Sequence, residues 1–592
     1  MQQIIFTVLV LFSLNSAQNW RFNIHDPSSI VKEDDKYWIY GTGDGIHAAY
    51  SHDLITWTNA NSPYSKTQFP AWIGDYVKGA TDDQGQEIFH GGFWAPDIHY
   101  MNGKYHLYYS ASEWGTMTSI VGGTTNLTLD PENPQYKWED LGFMGIWSYQ
   151  PGLALNAIDP AVMRGHDGRV WLIYGSFNQE GIVITELDTL TGKPKDYPGN
   201  LPGKSIANSW TGPNARDYAE GEGAAGIYHD GYYYLFYDKG GCCAGVNSTY
   251  YVVVGRSKEP TGPYVDKEGK NLKVDGAPSG GTVLMKHRDE LGDEDRYYGP
   301  GHIGFFHENG VDYVSFHYYD PNWPYPEQRA GGPTLGLAKI VWEADGWPSI
   351  SLDFVAPGTY NLTNVNSQKV LGVQNNQVQD QGLLWQYDFD SMEHSQQWIL
   401  NTLGHGEYSI QNAANPELYV EADNDNILRL TANFSGAINQ KFRIALGSDG
   451  QSIIYTSAGD DLWEIPNAAM ENSQVKLWPH TNHPCQKWVL SEAKTIEDNP
   501  IDSNDIEDPT SINTLTASLA QINFKNNILQ ISFTNSAGEV NIQITDILGK
   551  PIWKKNHNTG NALIANLPLN TGVYVLKLSG AVNQSQILQI KP

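Results

Sequence analysis

The sequence predicts an all-β chain: a five-bladed β-propeller, then a β-trefoil, then a small β-sandwich. Three observations carry that prediction. A hairpin pattern recurs five times over residues 20–352, a second unit recurs three times over 356–490, and alternating strand segments follow an acidic stretch.

The hairpins open at Asp26, Trp94, Asp159, Glu222 and His302, and each opener stands 14 or 15 residues before the aromatic that ends an apolar run: Tyr40, Tyr108, Tyr174, Tyr237 and Phe316. The segment from Asp26 reads DPSSIVKEDDKYWIYGTG and that from Glu222 reads EGAAGIYHDGYYYLFYD. In each, a short apolar strand meets a turn with Gly or Asp, and a strand rich in Tyr, Trp, Ile and Leu follows, which is a hairpin signature. The openers lie 68, 65, 63 and 80 residues apart. That is longer than propeller repeats of about 40 to 50 residues but suits four-stranded blades with long loops. Equivalent positions on the innermost strands of a radial array all approach its axis. Two aspartates, a glutamate, a tryptophan and a histidine should therefore converge on one funnel, where a purely structural repeat has no need of carboxylates.

At 592 residues the chain is too long for one core and should hold three or more domains. A formal charge of −29 argues against nucleic acid and anionic membrane as partners and is compatible with a neutral polymer. Residues 1–17, within MQQIIFTVLVLFSLNSAQ, read as a signal peptide cut near Ala17, although no Lys or Arg precedes the apolar run. No other run is long enough to span a bilayer, so a secreted or cell-surface protein is expected. The three cysteines cannot form a disulfide framework, and adjacent Cys242 and Cys243 are expected, with Cys485, to be buried thiols.

The second repeat is marked by Gln396-Gln397-Trp398, Gln440-Lys441-Phe442 and Gln486-Lys487-Trp488, with the aromatics 44 and 46 residues apart. Three copies of one unit fit a β-trefoil over 356–490, and the Q-x-W steps resemble those of ricin-type lectins. The resemblance implies that each aromatic is buried in a shared core. It also implies a sugar-binding aspartate in each leucine-aspartate-valine step, but these read Leu371-Gly372-Val373, Leu418-Tyr419-Val420 and Leu462-Trp463-Glu464. Sugar binding through exposed aromatics such as Trp385 or Trp478, and a purely structural role, both stay open.

Residues 491–512 form an acidic linker, with seven acidic residues against one lysine up to Pro509. Over 513–592, Val540, Ile542 and Ile544 alternate with polar residues, a turn is expected at Gly549, and GVYVLKLSG starts at Gly572, which suggests a small sandwich. NNILQI, ITDILGKPI and LPLNTGVYVLKL resemble the C-terminal sorting domain of type IX secretion. The resemblance implies an address read by that machinery and removed on export, and an ordinary adhesive β domain is the alternative.

Paired carboxylates on a propeller axis suit glycoside hydrolysis, in which a protonated acid serves the leaving oxygen and a carboxylate activates water. Asp26, between His25 and Pro27, reads as the base. Glu222, flanked by Gly221 and Gly223, reads as the acid, because burial beside a second anion raises a carboxyl pKa. Asp159 reads as the group that tunes and aligns Glu222. For any one of the three a turn cap is the plain alternative, and their repeat-equivalent placement favours chemistry.

Residues 20–352 also resemble glycoside hydrolase family 43, and within it the arabinanases, through HDPSS at His25, FWAPDI at Phe93, NAIDP at Asn156, YGSF at Tyr174, EGEGAAGIYHDGYYYLF at Glu220, CCAGVNSTY at Cys242, VGRSKEPTGPYVDKEGKNL at Val254 and GPGH at Gly299. The resemblance implies an inverting hydrolase of α-1,5-L-arabinan in plant cell walls, with acid and base roughly 6.5 to 9.5 Å apart. It further implies calcium at His302, held largely through waters, and a cleft lined by Trp94, Gly115, Asn156, Ser176 and Asn178. Asn178 stands where the family usually has tryptophan, and Ala224 where it usually has proline. The alternatives are an exo-acting arabinofuranosidase, a xylosidase or galactanase of the same fold, or a non-catalytic polysaccharide-binding protein.

Overall fold

A computed structural model describes residues 21–493, apart from 79, 82–86, 149–154, 197–202, 209–220, 275–277, 288–290, 292–295 and 322–330, together with the strands between 520 and 590. The signal peptide, most of the acidic linker and the turn at Gly549 lie outside the described residues. No helix among the described residues is long and apolar enough to cross a membrane.

Five antiparallel sheets make the propeller. Their innermost hairpins are Val31–Glu33 with Lys36–Gly41, Gly92–Met101 with Lys104–Ser112, Ala161–Arg164 with Val170–Tyr174, Glu222–His229 with Tyr232–Lys239, and Tyr298–Glu308 with Val311–Asp320. The aromatic and β-branched residues on both faces of these strands pack between neighbouring blades. One apolar cluster joins Trp38 and Tyr40 to Phe93 and Leu107, and another joins Tyr108 to Leu172 and Tyr174. The ring closes where Ile24, Tyr37 and Ile39 meet Phe306, Leu335 and Leu337. There the Ile24 N–H donates to the Pro333 carbonyl at 3.2 Å, and the Leu335 N–H to that of Phe22 at 2.8 Å. Buried Asp97 clips three blades: Oδ1 accepts from the Ser29 N–H and Oδ2 from the Val162 N–H, each at 2.9 Å.

The trefoil shows why its repeat ends in Q-x-aromatic. Trp398, Phe442 and Trp488 are all 0% exposed and share one core. Each preceding glutamine is buried and pins the loop before it, taking up both halves of its amide. Gln396 accepts from the Asp390 N–H at 2.9 Å and donates to the Asp388 carbonyl at 3.0 Å. Gln440 does the same with Ser435 and Asn433, at 2.8 and 2.7 Å, and Gln486 with Thr481 and Pro479, at 2.8 Å each. Trp478 is 54% exposed, whereas Trp385 is half-buried.

Propeller and trefoil form one compact unit through Lys494. The buried Arg21 guanidinium bridges Asp320 of the propeller and Asp460 of the trefoil. Lys487 Nζ pairs with Asp53 Oδ2 at 3.0 Å, and Ile55 packs among Ile453, Tyr455 and Leu462. A separate C-terminal unit holds a three-stranded sheet, with Ala520–Lys525 and Ile528–Phe533, and a four-stranded one, with Glu539–Asp546 and Gly572–Gly580.

Candidate active site

The five repeat openers reach the axis because the backbone turns abruptly there. Asp26, Asp159 and His302 have φ of 50°, 59° and 52°, and the residues after the other two openers, Ala95 and Gly223, have 46° and 60°. Register shifts follow at Trp94/Asp97, Glu222/Ala225 and Gly301/Gly304. Left-handed residues and bulges re-aim side chains and are costly, so they cluster at functional sites.

Asp26 is held on one oxygen. Its Oδ2 accepts from Thr42 Oγ1 at 2.5 Å and meets His25 Nδ1 at 2.8 Å. Its Oδ1 takes neither of these bonds, and its near neighbours are His317 Nδ1 at 3.5 Å and His302 Nδ1 at 3.7 Å. Burial opposes ionisation of Asp26, but His25, His302 and His317 outweigh it and hold its pKa well below the ordinary carboxylate range. The Asp26 N–H donates to His317 Nδ1 at 3.2 Å, and His317 stacks on His25 with centroids 4.3 Å apart. Burial and the charge of His25 push the pKa of His317 well down, and burial leads the causes that lower His302.

Glu222 is pushed the other way. Burial raises its pKa to about 7, with the charge of Asp26 adding to the rise; the hydrogen bonds from Ser176 and Tyr250 oppose it. Ser176 Oγ donates to Glu222 Oε2 at 2.8 Å. Asp159 sits beneath the same turn: its Oδ2 accepts the Gly223 N–H at 3.0 Å, and its own N–H donates to Ser110 Oγ at 2.8 Å. Burial, then the charges of Glu222 and Asp26, drives the Asp159 pKa well up.

Every predicted lining residue except Gly115 is tied to these acids or to one another. Asn156 and Ser176 pair in a β-bridge, the Phe177 N–H donates to the Gly221 carbonyl at 3.0 Å, and Asn178 Nδ2 lies 3.4 Å from the Ser176 carbonyl. Trp94 is half-buried, and the next residue's N–H donates to Thr42 Oγ1 at 2.8 Å. Gly115, with φ of 77°, borders open space, and its neighbour Trp114, 75% exposed, lies edge-to-face with Trp94 at 6.1 Å.

The repeat pattern missed residues supplied by second strands and loops: Thr42, Asp238, Tyr250, His317 and Tyr319. Asp238 pairs in register with Glu222, is 1% exposed, and accepts the His302 N–H at 2.8 Å. Burial drives its pKa well up. The Gly223 position is open only to glycine, because a Cβ there would fall 2.1 Å from Asp238 Oδ2. The expectation of buried Cys242 and Cys243 thiols is corrected. The two are joined by a disulfide, Cys243 is exposed and Cys242 half-buried, because the turn that carries them lies at the site's rim. Cys485 is buried and free as a thiol.

Residues 20–348 match the family described as glycosyl hydrolases family 43, residues 348–430 the ricin-type beta-trefoil lectin domain-like family, and residues 523–590 the secretion system C-terminal sorting domain. The extracellular exo-alpha-(1->5)-L-arabinofuranosidase ArbA of Cellvibrio japonicus (strain Ueda107) is 32% identical over 329 residues, 55% of this chain and 86% of that protein. The extracellular endo-alpha-(1->5)-L-arabinanase 1 of Bacillus subtilis (strain 168) is 36% identical over 330 residues, 55% of this chain and 87% of that protein. A crystal structure of an exo-1,5-alpha-L-arabinanase from a bovine ruminal metagenomic library is 36% identical, covers 56% of this chain and 98% of its own, and aligns with a TM-score of 0.47.

Proposed function

The chain belongs to glycosyl hydrolases family 43, and from that premise we propose that it is a secreted or cell-surface inverting hydrolase that cleaves α-1,5-linked L-arabinan internally. One observation carries the reading. Two carboxyls close enough to feel each other's charge are driven in opposite directions, Asp26 held ionised and Glu222 raised to about 7.

Glu222 gives its proton to the glycosidic oxygen as the bond to the anomeric carbon breaks. Asp26, with Oδ2 tied by Thr42 and His25, uses Oδ1 to take a proton from the water that attacks the opposite face of the sugar. Asp159 steadies the turn through the Gly223 N–H and keeps a second acid beside Glu222, which opposes ionisation of the pair. Trp94, Asn156 and Asn178 are the groups left for the furanose ring, and Ser176, fully buried, acts through its bond to Glu222.

Product analysis on linear arabinan tests this. Asp26→Ala and Glu222→Ala should each lower the rate by orders of magnitude, and release of oligomers at the parent's rate would refute the assignment. An exo-acting reading is favoured by the Cellvibrio relative. It predicts short products of one length from the first minutes, where endo cleavage gives a falling ladder.

His302 is our candidate calcium ligand. Its imidazole is held neutral, which leaves a ring nitrogen able to ligate. The one tight cluster of metal-ligating side chains among the described residues is His25, Asp26 and His317, which is rich in nitrogen. Calcium takes about six to eight oxygens, so its shell at His302 would be mostly water, and the ion would add positive charge to the channel. Metal analysis of the purified protein, before and after chelation, tests it. Residues 523–590 we read as the address for type IX export.

A further inference from the structure

The disulfide turn reaches the proposed base through Tyr319 and His25. The Cys243 N–H donates to the Tyr319 hydroxyl oxygen at 2.9 Å. That hydroxyl lies 2.8 Å from His25 Nε2, and His25 Nδ1 lies 2.8 Å from Asp26 Oδ2. Cys243 Sγ itself sits 3.8 Å from His25 Nε2, and Tyr319 is 3% exposed.

The Tyr319 oxygen accepts the Cys243 N–H and also hydrogen-bonds the Ser248 side chain, which fixes the ring where His25 Nε2 meets it. Burial opposes a charge on His25, but Asp26 raises its pKa. The charged ring donates from Nδ1 to Asp26 Oδ2 and from Nε2 to the tyrosine oxygen, and a neutral ring that accepts at Nε2 keeps its proton on Nδ1, so Nδ1–H faces Asp26 in both states. His317 cannot replace that donor, because its Nδ1 accepts the Asp26 N–H.

We infer that Tyr319 and the Cys242–Cys243 turn are positioning residues for the base: they hold the His25 ring with Nδ1 toward Asp26, so that Oδ2 stays occupied and Oδ1 is presented to water. The bonded pair matters because it holds the Cys243 N–H on the tyrosine at the rim, where an unlinked turn would be open to solvent.

The rate part of this inference rests on the proposed arabinan activity, and the tautomer part does not. The test uses the full chain and Tyr319→Phe, with histidine ring nitrogens labelled with nitrogen-15. At a pH where His25 is neutral, the parent should show a protonated Nδ1 and the variant a mixture of tautomers. On linear arabinan kcat should fall roughly tenfold, with KM within about twofold. An aryl glycoside of α-1,5-arabinotriose, long enough for internal cleavage and with a good leaving group, needs little help from the acid, so an equal loss on it assigns the defect to the base. Cys242→Ser/Cys243→Ser, which keeps the tyrosine, should lower kcat in the same direction and shift the same resonance. An unchanged His25 tautomer in Tyr319→Phe overturns the inference, as does a loss confined to arabinan. If the parent cleaves neither linear arabinan nor the aryl arabinotrioside, the substrate reading fails and the resonances still decide the positioning role.

Discussion

Replacing Ser176 by alanine should move the alkaline limb of the pH–rate profile upward. The Ser176 hydroxyl donates to Glu222 Oε2 at 2.8 Å, and both residues are buried, at 0% and 8% exposure. A hydrogen bond to a charged acceptor contributes about 1.5 to 3 kcal/mol and one to a neutral acceptor about 0.5 to 1.5, so the bond favours the ionised form by about 1 kcal/mol. At 1.36 kcal/mol per pKa unit, losing it raises Glu222 by about 0.7 of a unit. The parent value is about 7, so the limb should move toward 8. The acidic limb, set by Asp26 far lower, should stay in place. The assay is kcat/KM for reducing-end release from linear arabinan, measured from about pH 4 to pH 10. Its amplitude will fall as well, since Ser176 holds the Glu222 carboxyl in place, but the position of the limb reports the acid alone. A limb that stays put, or moves toward acid, would show that Glu222 does not govern it.

Three further outcomes follow from the same geometry. Glu222 binds its proton more tightly folded than unfolded, so its contribution to stability is present at low pH and is lost as pH rises from about 4.5 to about 7. Glu222→Gln should therefore match the parent in denaturant melts below that window and exceed it above by on the order of 3 kcal/mol; an equal difference at both ends contradicts the burial argument. Gly223→Ala combines a φ of 60° with a Cβ 2.1 Å from Asp238 Oδ2, and should cost about 2 kcal/mol of stability with a large loss of kcat, read by thermal melts and initial rates. Trp114→Ala removes an exposed ring beside Trp94 and should raise KM for arabinan roughly fivefold at an unchanged melting temperature; an unchanged KM would remove that ring from the cleft.

The openers were legible because a propeller repeats its inner strand, so one chemical oddity recurring five times pointed to one place. The trefoil glutamines were legible for a similar reason, each closing the same kind of loop. Asp238 and Tyr319 were not, since a cross-strand partner is fixed by register, which bulges at Glu222/Ala225 and Tyr298/Gly301 shift. Nor did the chain announce the left-handed backbone at Asp26 and Asp159, where a non-glycine residue is held by the groups around it. The cysteine pair was misread because adjacency argues against a bond in general, whereas the turn at 242–243 accommodates one.

Arg21 and Lys487 fasten the lectin-like module to the hydrolase at buried or half-buried ion pairs rather than leaving it on a leash. A tethered module roams, and its benefit to the enzyme depends on the span of the tether. A fastened one offers a fixed offset: a glycan strand held by the trefoil would meet the propeller at one set of distances, so the pair would favour chains long enough to bridge them and ignore short ones.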